Sequence, residues 1–222
     1  FMKLLKLLFL LILSFPASAQ IQIGADIDGE AFEDYSGYSV SLSSDGTIMA
    51  IGAIENDGNG NKAGHVRLYE YTSGSWSQLG ADIDGEAAND RSGYSVSLSS
   101  DGDIVAIGAF VNGGNGSNAG HVRVYEDSSG TWVQLGADID GEAANDRSGY
   151  SVSLSSDGTI LTIGAITNFN IVNGYDVGHV RVYEYTSSSW KQLGADIDGE
   201  AAYDKSGYSV SLSSDGTVFA IG

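Results

Sequence analysis

Short runs of alternating large apolar and small polar residues recur along the chain. The first, Tyr38-Ser-Val-Ser-Leu-Ser43, has the period of two that marks a half-buried β-strand. The pair Asp45-Gly46 then predicts a tight hairpin into the mainly apolar run Thr47 to Ala53. A loop rich in glycine and asparagine follows, and His65 to Tyr71 forms a third run. Thr72-Ser-Gly-Ser75 turns that run into a fourth, Trp76 to Ile83. No segment between them has helical periodicity. The pattern predicts four antiparallel strands near 37–43, 47–54, 64–71 and 76–83.

This pattern repeats. Ser-Gly-Tyr-Ser-Val-Ser-Leu-Ser-Ser-Asp-Gly occurs at 36–46, 92–102, 148–158 and 206–216, with successive copies starting 56, 56 and 58 residues apart. Gly-His-Val-Arg-(Leu/Val)-Tyr-Glu recurs at 64–70, 120–126 and 178–184, and Trp-x-Gln-Leu-Gly-Ala-Asp-Ile-Asp-Gly-Glu ends at Glu86, Glu142 and Glu200. Four strands every 56 residues is the size of a propeller blade, whereas a parallel solenoid coil needs only roughly 20–30 residues per turn. The expected fold is therefore all-β, a β-propeller of four-stranded antiparallel blades present as an incomplete array. A lone outer strand is expected at 20–28, then units at 29–84, 85–140 and 141–198, with a partial unit at 199–222. The serines and Gly37 of the first strand suit the crowded axis. Trp76, Trp132 and Trp190 suit packing between blades where these are wide.

Residues 1–19 read as a secretory leader. Lys3 and Lys6 are basic, Leu7 to Phe15 is apolar, and Ala17-Ser18-Ala19 precedes Gln20 as a cleavage site. The apolar run is too short to span a bilayer, so no membrane insertion is expected after cleavage. Because Phe1 precedes Met2 and the chain stops at Ala220-Ile-Gly222, inside a second strand, the sequence is expected to be a truncated piece. Such an open arc should melt below a closed ring, since its end units lack a neighbour.

Composition narrows the partners. There is no cysteine, so no disulfide or thiolate chemistry supports the fold. The formal charge of −19 becomes more negative once Lys3 and Lys6 leave with the leader, which argues against nucleic acid or an anionic membrane surface. It permits cations.

The blocks S-G-Y-S-V-S-L-S-S-D-G-T-I-x-A-I-G-A and A-G-H-V-R-V-Y resemble the FG-GAP repeat of integrin α-subunit propellers and of exported bacterial proteins. Gly37-Tyr38 stands at the family's Phe-Gly region, Ile51-Gly52-Ala53 at its Gly-Ala-Pro, and Gly64 to Tyr69 at its Gly-x-Val-Tyr strand. The resemblance covers 20–222 and implies a secreted or surface propeller for adhesion or for protein and glycan binding, without catalysis. Two departures stand out. Ile54, Phe110 and Ile166 replace the proline, and the family's calcium loop between the first two strands has no counterpart, because Ser44-Asp45-Gly46 is too short to wrap a cation. Asp45, Asp101, Asp157 and Asp215 are expected to form hairpins instead.

Acidic sets lie elsewhere. Asp82, Asp84, Glu86 and Asp90 have counterparts in Asp26, Asp28, Glu30 and Asp34, in Asp138, Asp140, Glu142 and Asp146, and in Asp196, Asp198, Glu200 and Asp204. Each set is a candidate calcium site, with turn formation and solvated charge as the alternative; no cofactor is otherwise required. The loops after the second strand differ most between units and are the candidate ligand contacts. They contribute Asn56, Asp57, Asn59 and Asn61, then Asn112 and Asn115, then Asn168, Asn170, Tyr175 and Asp176. His65, His121 and His179 occupy one position in successive blades, too far apart to share a metal, and are expected to face a neighbouring blade or solvent. No polar residue breaks the repeat as a lone nucleophile would, so no catalytic residue is assigned. The expected function is an exported, non-catalytic binding or adhesion module for protein or polysaccharide. The alternative is a substrate-positioning domain of a larger secreted enzyme.

Overall fold

The computed structural model describes residues 21–168 and 176–222. The leader expectation therefore lies outside the described residues. Seventeen strands are present and no helix is found among the described residues. The first unit comprises β1 (Ser36–Leu42), β2 (Ile48–Ala53), β3 (His65–Thr72), β4 (Ser75–Gln78) and β5 (Ile83–Asp84). The second comprises β6 (Ser95–Leu98), β7 (Ile104–Ala109), β8 (His121–Asp127), β9 (Trp132–Gln134) and β10 (Ile139–Asp140). The third comprises β11 (Ser148–Leu154), β12 (Ile160–Ala165), β13 (His179–Thr186), β14 (Ser189–Gln192) and β15 (Ile197–Asp198). A two-stranded start of a fourth follows, β16 (Val210–Leu212) and β17 (Phe219–Ile221).

Each unit is an antiparallel sheet ordered first, second, third and fourth strand, as the alternation predicts. The fourth strand differs from expectation. It is split, with β4 and β5 both pairing β3, because Gly80 takes φ of +77° and carries the backbone off the ladder just after Leu79 N–H donates to Leu68 O. The second difference lies at 21–28, which form no ladder. These residues still occupy the outer-strand position of a preceding blade, since Ile23 O accepts from Trp76 Nε1 and Asp28 O accepts from Arg67.

The core lies between units. Ala50, Val66 and Leu68 of the first sheet bury against Leu98, Val105, Ile107 and Tyr125 of the second, and Ala106, Val122 and Val124 repeat this against Leu154, Leu161, Ile163 and Tyr183 of the third. Near the axis, serine hydroxyls join the blades. Ser39 Oγ donates to Gly93 O at 2.6 Å, and Ser41 Oγ accepts from Leu98 N–H at 3.0 Å, with equivalents at Ser95, Ser97, Ser151 and Ser153. A Cβ on Gly52 would lie 2.2 Å from Gly93 O, so glycine is required for this approach. On the loop side, Gly64 pairs in parallel with Ser92, Gly120 with Ser148 and Gly178 with Ser206. At the opposite end, Ser44 N–H donates to Ser100 O and Ser100 N–H to Ser156 O.

Asp45 closes its hairpin by accepting from Thr47 N–H and from the hydroxyls of Ser43 and Thr47. Those bonds favour the ionised carboxylate, so its pKa lies below the usual value.

Candidate functional site

The polar loops after the second strands are occupied in joining units. Asn56 is buried; its Nδ2 donates to Asp34 Oδ2 at 3.0 Å and its Oδ1 accepts from Gly58 N–H. Asn112 makes the same bond to Asp90, and Asn168 reaches Asp146 at 3.5 Å. Asn59 and Asn115 clasp Gly85 O and Gly141 O in the turn leading to the next unit. Asp57 accepts from Lys62 N–H, Asn61 O accepts from Asn89 N–H, and Asp176 O accepts from Lys205 N–H. Asn170 and Tyr175 lie outside the described residues.

The acids of one set do not converge. Asp34, Asp90, Asp146 and Asp204 each accept a backbone N–H three residues earlier, from Ala31, Ala87, Ala143 and Ala201. Asp26, Asp82, Asp138 and Asp196 accept from Gln22, Gln78, Gln134 and Gln192. The carbonyls of Asp28, Asp84 and Asp140 receive Arg67, Arg123 and Arg181. Asp198 pairs through its backbone with His179.

Carboxylates from two consecutive sets instead meet around a histidine. Glu30, His65 and Asp82 form one trio, Glu86, His121 and Asp138 a second, and Glu142, His179 and Asp196 a third, each with ligand atoms mutually within 4.8 Å. His65 Nδ1 lies 3.5 Å from Asp82 and 3.9 Å from Glu30; His121 Nδ1 lies 3.7 Å from Glu86 and 4.0 Å from Asp138. Burial disfavours the imidazolium and holds His121 and His179 at about 4, with His65 also lowered, so all three are neutral at pH 7. Burial likewise raises Glu86 and Glu142. The recurring Gly-His-Val-Arg block placed the histidines at one register, but the carboxylates come from 35 residues before and 17 after His65, which no local spacing reveals.

A second constellation was not singled out from the sequence. Tyr38, Tyr94, Tyr150 and Tyr208 stack in a row at the loop face, with successive ring centroids 5.0, 4.8 and 5.0 Å apart. Burial, then hydrogen bonding with Tyr150 and Tyr38, pushes the Tyr94 phenol far up. Phe110, which stands where the other units have Ile54 and Ile166, inserts its ring 4.2 Å from Tyr94 and 5.6 Å from Tyr150. Tyr38, Tyr94, Phe110 and Tyr150, with Tyr35, Ile54, Glu55, Arg91 and Arg147, line an open cleft of 390 Å³. Arg91 pairs with Glu55 at 3.2 Å. At the equivalent place beside Arg147 the repeat has Val111, and no ion pair to Arg147 occurs among the described residues. The legible signal was Phe110, alone against Ile54 and Ile166, beside a tyrosine repeated in every unit.

Sequence comparison matches part of the first unit to a known repeat. Residues 25–69 match the FG-GAP repeat. The following units restate those residues almost verbatim, and the recurring four-stranded antiparallel sheets are those of an incomplete β-propeller, consistent with an FG-GAP fragment. Comparison with curated protein sequences finds no match. Among solved structures, the chain is similar to hydrazine synthase from Kuenenia stuttgartiensis, at 11% identity and a TM-score of 0.50, over 88% of this chain and 44% of that one. It is also similar to a protein described as a candidate 6-phosphogluconolactonase from Bacteroides uniformis ATCC 8492, at 12% identity and 0.49, over 82% and 42%. The chain thus spans under half the length of these structures, and at such identity the likeness to the first concerns the fold alone.

Proposed function

We propose that the array is an exported, non-catalytic binding module whose contact surface is the tyrosine cleft, and that its partner is an acidic polysaccharide. The observation that carries this reading is the departure at Phe110-Val111. It adds a ring between Tyr94 and Tyr150 and leaves Arg147 exposed beside them without the carboxylate that its counterpart Arg91 holds. Aromatic faces offer apolar contact to sugar rings, and an exposed guanidinium suits a carboxylate in bidentate geometry. The leader-like pattern at 1–19 supports export. In a chain of net charge −19, a local cationic and aromatic spot concentrates an acidic ligand only at short range.

Titration calorimetry of the whole chain with polygalacturonate and with neutral dextran tests the reading. Saturable binding of the acidic polymer, lost about tenfold or more in Arg147→Ala and in Tyr150→Ala, is expected. Equal binding of both polymers, or an undiminished affinity in both variants, would overturn it; capture of a protein ligand by the same residues would replace the polysaccharide.

A further inference from the structure

The three Glu–His–Asp trios carry more than inter-unit packing. Their histidine side chains are 98% buried at His65 and His121, yet the Nδ1 atoms of His65 and His179 have no hydrogen-bond partner. Nδ1 of His65 and Nδ1 of His121 each face two carboxylates at 3.5 to 4.0 Å, and the ligand atoms of Glu142, His179 and Asp196 lie within 4.8 Å of one another. A buried polar atom without a partner is costly, and here it recurs in the first and third units.

We propose that each trio is a binding site for a first-row divalent transition metal of the zinc class, held at the seam between consecutive blades.

The spacing fits the chemistry. Donors bound to zinc at roughly 2.0–2.1 Å in tetrahedral geometry stand on the order of 3.3 Å apart; the histidine-to-carboxylate separations are 3.5 to 4.0 Å in the first two trios, and all donor atoms of each trio lie within 4.8 Å, so binding draws them together. A neutral imidazole nitrogen with two carboxylates is a donor set for zinc, cobalt or nickel, whereas calcium takes six or more oxygens. The second shell is also in place. Arg123 Nη1 lies 3.8 Å from Glu86 Oε1 while Glu86 Oε2 faces the histidine, and Arg67 and Arg181 repeat the arrangement on Glu30 and Glu142. The glutamates are 43–44% exposed, which leaves a path for the ion and a fourth position for water. Glu86 belongs to the turn leaving the first unit, and His121 and Asp138 to the second. A bound ion would therefore clasp the two, independently of any ligand at the tyrosine cleft.

The test uses the whole chain stripped with EDTA and titrated with zinc chloride by calorimetry, with calcium chloride at equal ionic strength as comparator. Three zinc ions per chain, one for each trio, are expected to bind with at least tenfold preference over calcium and to raise the melting temperature. His121→Gln should reduce the stoichiometry from three to two. Because loss of a buried histidine can impair folding, the combined variant Glu30→Gln, Glu86→Gln, Glu142→Gln provides a second arm. Those side chains are half exposed, so that variant should fold and lose the zinc-dependent melting shift. Cobalt should give visible bands of low coordination number in the parent chain and not in the variant. Absence of zinc heat, calcium binding as tight as zinc, or zinc uptake unchanged in the folded triple variant would each overturn the proposal.

Discussion

The inner and outer seams of the blades hold the same neighbours together by different chemistry. At the inner seam, the contacts are uncharged: serine hydroxyls, backbone amides and glycine Cα atoms close enough that a Cβ on Gly108 would sit 2.1 Å from Gly149 O. At the outer seam, Trp132 Nε1 donates to Leu79 O, Arg123 donates to Asp84 O while lying over Tyr125, and the buried histidines face carboxylates. The inner seam tolerates almost no change of shape. The outer seam keeps cavities and ionisable groups, which is where a ligand or ion can alter the coupling between units.

Breaking the inner seam should have the largest effect. Gly108→Ala places a methyl group against fixed backbone and is expected to cost about 3 kcal/mol or more, read as a fall in the urea midpoint. Gly130→Ala, where no atom lies within 4 Å but φ is +84°, should cost only about 1 kcal/mol, and equal costs would show that the backbone relieves the close approach at Gly108.

At the outer seam, Trp132→Ala removes a partly buried ring packed on the first inter-unit core and its 2.9 Å bond to Leu79 O. A loss of about 2 kcal/mol is expected, below the range for a fully buried tryptophan. Trp132→Phe should recover about half of it, and failure to do so would give the indole N–H more weight than the ring.

The smallest effect concerns the hairpin aspartates that adjoin the inner strands. Hydrogen bonds from Ser155, then Thr159, hold Asp157 below its ordinary value, and a similar set holds Asp215 at about 2. A depressed carboxylate contributes stability above its unfolded pKa of about 4 and loses it as pH falls through the folded value. The melting difference between the parent chain and Asp215→Asn should therefore be constant above pH 4 and shrink between about pH 4 and 2. A difference that grows on acidification would contradict this assignment.

The strands and hairpins were legible because local alternation and Asp-Gly turns act over a few residues. The split fourth strand was not, since Trp-x-Gln-Leu-Gly-Ala-Asp-Ile reads as continuous until Gly80 adopts positive φ. The serines were correctly placed near the axis, but their bonds to the next blade depend on packing between units. The candidate sites were less legible still. Asn56, Asn59, Asn112 and Asn115 look like loop contacts in sequence, whereas the structure engages them with the neighbouring turn. Tyr94 and Arg147 come together only because the first strands of successive units lie side by side, and Glu86, His121 and Asp138 because the turn leaving one unit folds over the third strand of the next.

The parallel pairing of Gly64 with Ser92, repeated at Gly120 with Ser148 and Gly178 with Ser206, means that every unit offers its successor the same docking edge. Side chains at this edge carry no address that distinguishes one neighbour from another. Correct order is enforced by the short connections along the chain, so at high concentration a unit from one molecule can dock where the next unit of another belongs. Exchange between chains is thus a built-in competitor of folding, and dilution, rather than added stability, is the condition that favours the ordered array.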